Sequence, residues 1–182
     1  MTQRTDVVEL LKAQHTRIRD LLDEVAATSG EERKQHFQDL VRLLAVHETA
    51  EEEVVHPFAR KNIEGGEQIV KDRIQEEESA KGLLSRLDDM DTDSPEFMTR
   101  FEELRTNVLA HAEAEEKYEF ARFRQVADQS KLENLARAVK AAETVAPTRP
   151  HPGTDTAVKN LAVGPVASVI DRTRDAIRKA MG

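Results

Sequence analysis

The segment His47-Glu48-Thr49-Ala50-Glu51 is echoed by His111-Ala112-Glu113-Ala114-Glu115 sixty-four residues later. Each places an imidazole and a carboxylate at i and i+4. On an α-helix that separation is about 400°, so both side chains leave from nearly the same face. Both copies are followed by a second glutamate (Glu52 and Glu116), and Phe58-Ala59-Arg60 is loosely echoed by Phe120-Ala121-Arg122. An imidazole–carboxylate pair repeated on two helices is what a two-metal site inside a helical bundle requires.

The rest of the chain is patterned to supply that bundle. A first helix over about 5–27, with Thr5 as its cap, carries Val8, Leu11, Ile18, Leu22 and Val25 on one stripe, and His15 lies in the middle of that stripe. Ser29, with Glu32 three residues on, reads as a capping box for a second helix over about 31–62. Phe37, Leu40, Leu44, Val54 and Phe58 line its inner face together with His47 and Glu51, and Pro57 should kink or end it one turn past the motif. In the third helix, about 67–90, only Glu77 of Glu76-Glu77-Glu78 is in phase with the apolar stripe. Ser94 and Pro95 open a fourth helix that runs to about residue 126, with Phe97, Phe101, Leu104, Val108, His111, Glu115 and Tyr118 inward. A short fifth helix follows over about 131–144.

These helices predict an all-α, up-down-up-down four-helix bundle with additional C-terminal helices. The domain reading is a bundle plus the fifth helix over 1–145, a Pro/Gly linker over 146–164, and an amphipathic helix over 165–182. That last helix could dock on the bundle, pair two copies into a homodimer, or lie on an anionic membrane surface. Docking is the commonest outcome.

Composition narrows the function. A net charge of −8 argues against nucleic acid as a partner, since phosphate binding needs clustered basic surface. No apolar run reaches the roughly 18–20 residues of a membrane span, and no signal-peptide core follows Met1, so the expected location is cytoplasmic. With no cysteine, any metal must be held by nitrogen and oxygen donors.

Each of the four helices offers a metal-competent group within its apolar stripe: His15, His47 with Glu51, Glu77, and His111 with Glu115. One such histidine is usually a satisfied core residue. Four helices each broken mid-stripe point to a cation, because buried charges need a partner. Three imidazoles and three carboxylates suit iron, manganese or zinc rather than magnesium or calcium. Two ions fit better than one, because a carboxylate from each motif can bridge them. Tyr118, the sole tyrosine, lies seven residues after His111; it is either a core aromatic or a phenolate ligand. His36 is about 16 Å along the helix from His47, His56 points away from the inner stripe of a regular helix, and His151 belongs to the linker.

His15 and the two H-x-x-x-E motifs at this spacing resemble the hemerythrin family, specifically the bacterial hemerythrin-like HHE cation-binding proteins, over about residues 5–126. Ferritin-like carboxylate sites use Glu-x-x-His instead. The resemblance implies a non-haem centre of two iron ions, oxo- or hydroxo-bridged, with Glu51 and Glu115 bridging and His15, His47 and His111 as terminal ligands. The oxygen-carrying members supply two histidines from the third helix, where this chain offers only Glu77, with Lys81 one turn on. A carboxylate in place of imidazole makes the centre more electron-rich and disfavours reversible O2 carriage. The expected function is reaction with small oxidants, by peroxide decomposition or nitric oxide chemistry, in an oxidoreductase. The alternatives are an O2- or NO-binding sensor, an iron-binding or storage module, and a structural zinc bundle.

Overall fold

The computed structural model describes residues 5–146. Helix α1 (Val7–Ala27) begins where Asp6 adopts extended backbone and its carboxylate accepts the Glu9 N–H at 2.9 Å. Asp6, not Thr5, is therefore the cap. The capping box expected from Ser29 and Glu32 does not form, since Ser29 makes no side-chain cap bond. Gly30 opens α2 (Gly30–Ala50) in the left-handed region, at φ +63°, and donates its N–H to both carboxylate oxygens of Asp93 at 2.9 and 3.0 Å. The cap comes from the turn before the fourth long helix, which a local pattern does not reveal.

Helix α2 passes without a break through a π-helical turn, Glu51–Val55, into α3 (His56–Asn62). Gly66 then starts α4 (Gly66–Asp88), and a Cβ there would stand 2.2 Å from the Ala59 carbonyl oxygen, so glycine lets the third long helix begin this close to the second. Helix α5 (Pro95–Glu115) is capped by Ser94, whose hydroxyl accepts the Phe97 N–H at 3.1 Å. A second π turn, Glu116–Phe120, leads into α6 (Ala121–Val126). The fifth long helix, α7 (Gln129–Val145), packs on α1, α2 and the first π turn. The described residues thus form an all-α, up-down-up-down bundle of α1, α2–α3, α4 and α5–α6, with α7 against its flank.

The apolar interior is split in two. One block joins Val7, Leu11, Val54, Phe58, Phe120 and Phe123 to Leu132 and Val139 of α7. The other gathers Ile18, Leu22, Phe37, Leu40, Leu84, Phe97, Phe101 and Leu104. Phe37 meets Phe97 edge-on, with ring centroids 5.0 Å apart. Each fully buried side chain of this size contributes roughly 1.5–3 kcal/mol. Between the two blocks lies a layer of buried histidines and glutamates: His15, His47, Glu51, Glu77 and Glu115 are each at most 3% exposed. The apolar blocks on either side keep this layer out of water.

Past Ala146, the linker expected over 146–164 lies outside the described residues. So do the terminal helix over 165–182 and the homodimer contact expected of it. Among the described residues no helix is long and apolar enough to cross a membrane.

Candidate metal centre

Two sets of donors meet in the polar layer. The ligand atoms of His15, His47, Glu51 and Glu115 lie within 4.8 Å of one another, as do those of Glu51, Glu77, His111 and Glu115. Glu51 and Glu115 belong to both sets. His47 Nε2 stands 3.3 Å from Glu51 Oε1, and Glu115 Oε2 is 3.3 Å from His15 Nε2 and 3.5 Å from His111 Nε2. Neighbouring ligands on one ion, each at about 2.1 Å, are separated by roughly 3.0–3.4 Å. The facing atoms are also those without partners. His15 Nε2, His47 Nε2, His111 Nε2, Glu77 Oε2 and all four oxygens of Glu51 and Glu115 are buried with no hydrogen bond. Buried polar atoms are seldom left so, and cations shared by the two sets would satisfy them together. The donor chemistry fits bound metal.

The far side of each ring explains why Nε2 faces the cluster. His15 Nδ1 is 3.0 Å from Glu116, a carboxylate held in turn by Arg19 at 2.9 Å. His111 Nδ1 is 2.9 Å from Glu76, which pairs with Arg73 at 3.0 Å. His47 Nδ1 is 2.7 Å from Gln14 Oε1, and the Gln14 amide donates to Glu143 of α7. An acceptor at Nδ1 fixes its proton there and leaves the Nε2 lone pair toward the cluster, which is the outer support a ligating histidine needs. Gln14→Leu or Glu143→Ala should therefore weaken metal binding about tenfold without touching a donor. A competitive chelator titration measures this, and unchanged affinity in both variants would show that the Glu143–Gln14–His47 chain does not orient the ring.

Sequence reading misplaced Tyr118 and His56, and passed over Glu119, for one reason. A π turn takes up one residue more than an α turn, so everything beyond it is rotated by about 100° relative to a regular helix. Tyr118, expected on the inner face, is turned outward: it is 46% exposed, with Lys117 Nζ 5.0 Å from its ring centroid. It is not in a position to ligate a buried ion. Its neighbour Glu119 takes the inner position and is fully buried. In the second long helix the first π turn brings His56 inward, 1% exposed, with Nε2 2.7 Å from Glu77 Oε1. Pro57, which cannot donate to the carbonyl four residues back, signals the first irregularity; no residue of Glu116-Lys117-Tyr118-Glu119-Phe120 signals the second. Tyr118→Phe should leave metal content and the visible spectrum of the loaded protein unchanged, and a lost absorption band would restore the phenolate reading. His36 pairs with Glu24 at 3.2 Å, outside both donor sets.

His56 is wired the opposite way from the other three rings. Its Nε2 is engaged with Glu77 while its Nδ1 is without a partner. It holds Oε1 of the carboxylate of the third long helix and leaves Glu77 Oε2 buried without a hydrogen bond.

Without cations the layer shares protons unevenly. Burial, reinforced by Glu115 and Glu77, pushes Glu51 well above the usual carboxylate range. Burial opposes ionisation of Glu115 too, but His111 and His15 outweigh it and hold that carboxyl below the usual range. Burial and the neighbouring His15 lower His47 to about 3. His111 is raised to about 9, since Glu115 and Glu76 overcome its desolvation. Beside the layer lies a cavity of about 20 Å³ bordered by Glu48, Glu77, His111 and the apolar side chains Ile18, Leu44, Ala80 and Val108. A more open cleft between α4 and α5, lined by Arg73, Glu76, Asn107 and His111, shares Glu76, Asn107 and His111 with it.

A crystal structure of a hemerythrin HHE cation-binding domain-containing protein, the Rv2633c homolog from Mycobacterium kansasii, has the same fold. The TM-score is 0.68 at 20% identity, over 92% of this chain and 99% of that one. A DNA nickase from Nostoc sp. strain PCC 7120 is 26% identical over 143 residues, which are 78% of this chain and 40% of the relative, so the chain spans less than half of that protein's length. The family model for the hemerythrin HHE cation-binding domain matches residues 6–123, across all four long helices and every donor described above, and the chain belongs to that family.

Proposed function

We propose that this chain is a non-haem diiron protein that consumes small oxidants, decomposing hydrogen peroxide or reacting with nitric oxide. The observation that carries the reading is the pair of donor sets sharing Glu51 and Glu115, set beside a cavity of only about 20 Å³. A space of that size holds little more than one water-sized molecule, which selects diatomic ligands and peroxide over organic substrates. Mixed nitrogen and oxygen donors favour iron over the all-oxygen metals. Bound iron would supply the redox chemistry, cycling between ferrous and ferric as one peroxide is reduced to water and a second is oxidised to O2.

The chain's own residues supply holding, orientation and protons. His15, His47 and His111 would hold the metal through their Nε2 atoms, Glu51 and Glu115, common to both donor sets, would supply carboxylates to each, and Glu77 would add the carboxylate of the third long helix. Arg73 and Glu76 orient His111 at the mouth of the cleft. Glu48 borders the cavity, and burial raises its carboxyl well above the usual range. Burial thus favours its protonated form beside the space where the oxidant would sit, where a proton could serve an oxygen atom that gains electrons. The apolar wall of Ile18, Leu44, Ala80 and Val108 keeps bulk water from that space. The activity in the nickase's name is not carried over to a chain that spans 40% of it and has a net charge of −8.

The test is to load the chelator-treated protein with ferrous iron under anaerobic conditions, count the bound metal, and follow O2 release from peroxide and loss of NO. About two irons per chain with consumption of either oxidant is the expected result. An iron-loaded protein inert to both would overturn it. A sensing role draws on a different observation, the Glu143–Gln14–His47 chain that ties α7 to the centre. If binding of O2 or NO is read out through α7, protease sensitivity beyond residue 145 should change with ligand state; identical digestion in all states would exclude that route.

A further inference from the structure

Glu119 belongs to neither donor set, yet its surroundings are those of a ligand. Its side chain is fully buried and both its oxygens are without a hydrogen bond. Among the described residues, Glu51 and Glu115 are the other fully buried carboxylates of which this is true. Arg73 Nε stands 3.8 Å from Glu119 Oε1, beyond hydrogen-bond reach, while Arg73 Nη1 is turned to Glu76 at 3.0 Å. A carboxylate buried only to serve an arginine closes that gap with paired bonds of about 2.7–2.9 Å. Glu119 also lies within electrostatic reach of Glu51, Glu115 and His111, three of the four members of the second set.

The helix departs from regularity to bring this about. A regular helix from His111 would bury Tyr118 and turn Glu119 away. The π turn does the reverse, burying a carboxylate and exposing an aromatic ring, against the preference of both side chains for water. Conflicts of that kind between local preference and structure are expected at functional sites.

We infer that Glu119 is a further metal ligand, completing the second position with a fourth carboxylate; the inference rests on the two-ion reading above. The two positions then differ in kind. The first has two imidazoles and two shared carboxylates. The second has one imidazole, His111, with Glu51, Glu77, Glu115 and Glu119, a hard oxygen-rich set that favours ferric iron or manganese over zinc. The two ions should therefore load one after the other, and only the second should depend on Glu119.

Cobalt(II) is a suitable probe, because its visible absorption intensifies as its coordination number falls. The metal-free full-length protein, Glu119→Gln and Glu119→Ala are each titrated with Co2+ and checked for helicity by circular dichroism. In both variants the first equivalent should bind as in the wild type. The second should bind at least about tenfold more weakly, with a more intense spectrum in Glu119→Ala that added acetate returns toward the wild-type form. Two equivalents with unchanged affinity and spectrum in both variants would overturn the role of Glu119 and leave the two-ion reading standing. A wild-type protein that binds fewer than two equivalents would overturn both.

Discussion

Glu115→Ala should empty the centre, taking protein from iron-replete medium from about two ions per chain to near none, whereas His47→Ala should leave about one. The asymmetry follows from where each donor sits. Glu115 Oε2 is 3.3 Å from His15 Nε2 and 3.5 Å from His111 Nε2, so one carboxylate serves imidazoles at both ends of the layer. Removing it takes a donor from both sets and leaves two rings facing a gap. His47 belongs to the first set alone. Glu51→Ala should behave like Glu115→Ala, for Glu51 is the other shared member. Glu115→Gln keeps the volume and separates loss of charge from loss of packing. Metal analysis of the purified variants, with circular dichroism to confirm the bundle, decides the matter. A Glu115→Ala protein that retained one full equivalent would show that the sets are independent and the carboxylates do not span them.

Much of this centre was legible in the sequence because helical periodicity is a rigid ruler. His15, Glu77 and the two H-x-x-x-E pairs interrupt apolar stripes, and each is found where a spacing of 100° per residue puts it, on the inner face between the two apolar blocks. Glu77 shows how far the ruler reaches. Of three consecutive glutamates, Glu77 alone is buried, at 2% exposure, while Glu76 and Glu78 flank it nearer to solvent.

The ruler fails where the helix stops being regular. From each π turn onward the phase departs from that of a regular helix, and the readings of His56 and Tyr118 fail together, while Glu119 went unread. Nothing in local propensity selects a π turn; its added strain is repaid by tertiary placement, here of His56 against Glu77 and of Glu119 in the buried layer. The supports behind the rings were hidden for a second reason. Glu116 reaches His15 across 101 positions and Gln14 reaches His47 across 33, and pairings that distant leave no periodic trace. Ser29 is the same lesson at a helix end, since it makes no cap bond and the Gly30 N–H beside it is satisfied by Asp93 from another turn.

Metal-free protein should lose stability as the pH rises from 6.5 to 9, and metal-loaded protein should not. His111 is raised from 6.5 to about 9, its desolvation outweighed by Glu115 and Glu76. A base raised on folding stabilises fully below its unfolded value, and that contribution disappears as pH climbs to its folded value. Glu119, lifted by burial and Glu115 from 4.5 to about 7, acts in the same direction and loses the last of its contribution in this window. Glu51 and Glu48, both pushed well above the usual range by burial, share that sign. Two groups have the other sign but do not oppose here. His47, lowered to about 3, already contributes in full above 6.5, and Glu115, held low by His111 and His15 despite burial, does so above 4.5. The shift of His111 alone corresponds to on the order of 3 kcal/mol, or a fall in Tm of about 6–12 °C for a chain of this size. Cations bound in the layer would take the place of these protons, so binding would expel them and affinity should rise with pH over the same interval. Thermal unfolding of chelator-treated and metal-loaded protein at several pH values tests both statements. A metal-free Tm that stayed level, or a loaded protein with the same downward slope, would mean that the buried layer is not held together by protons that a metal displaces.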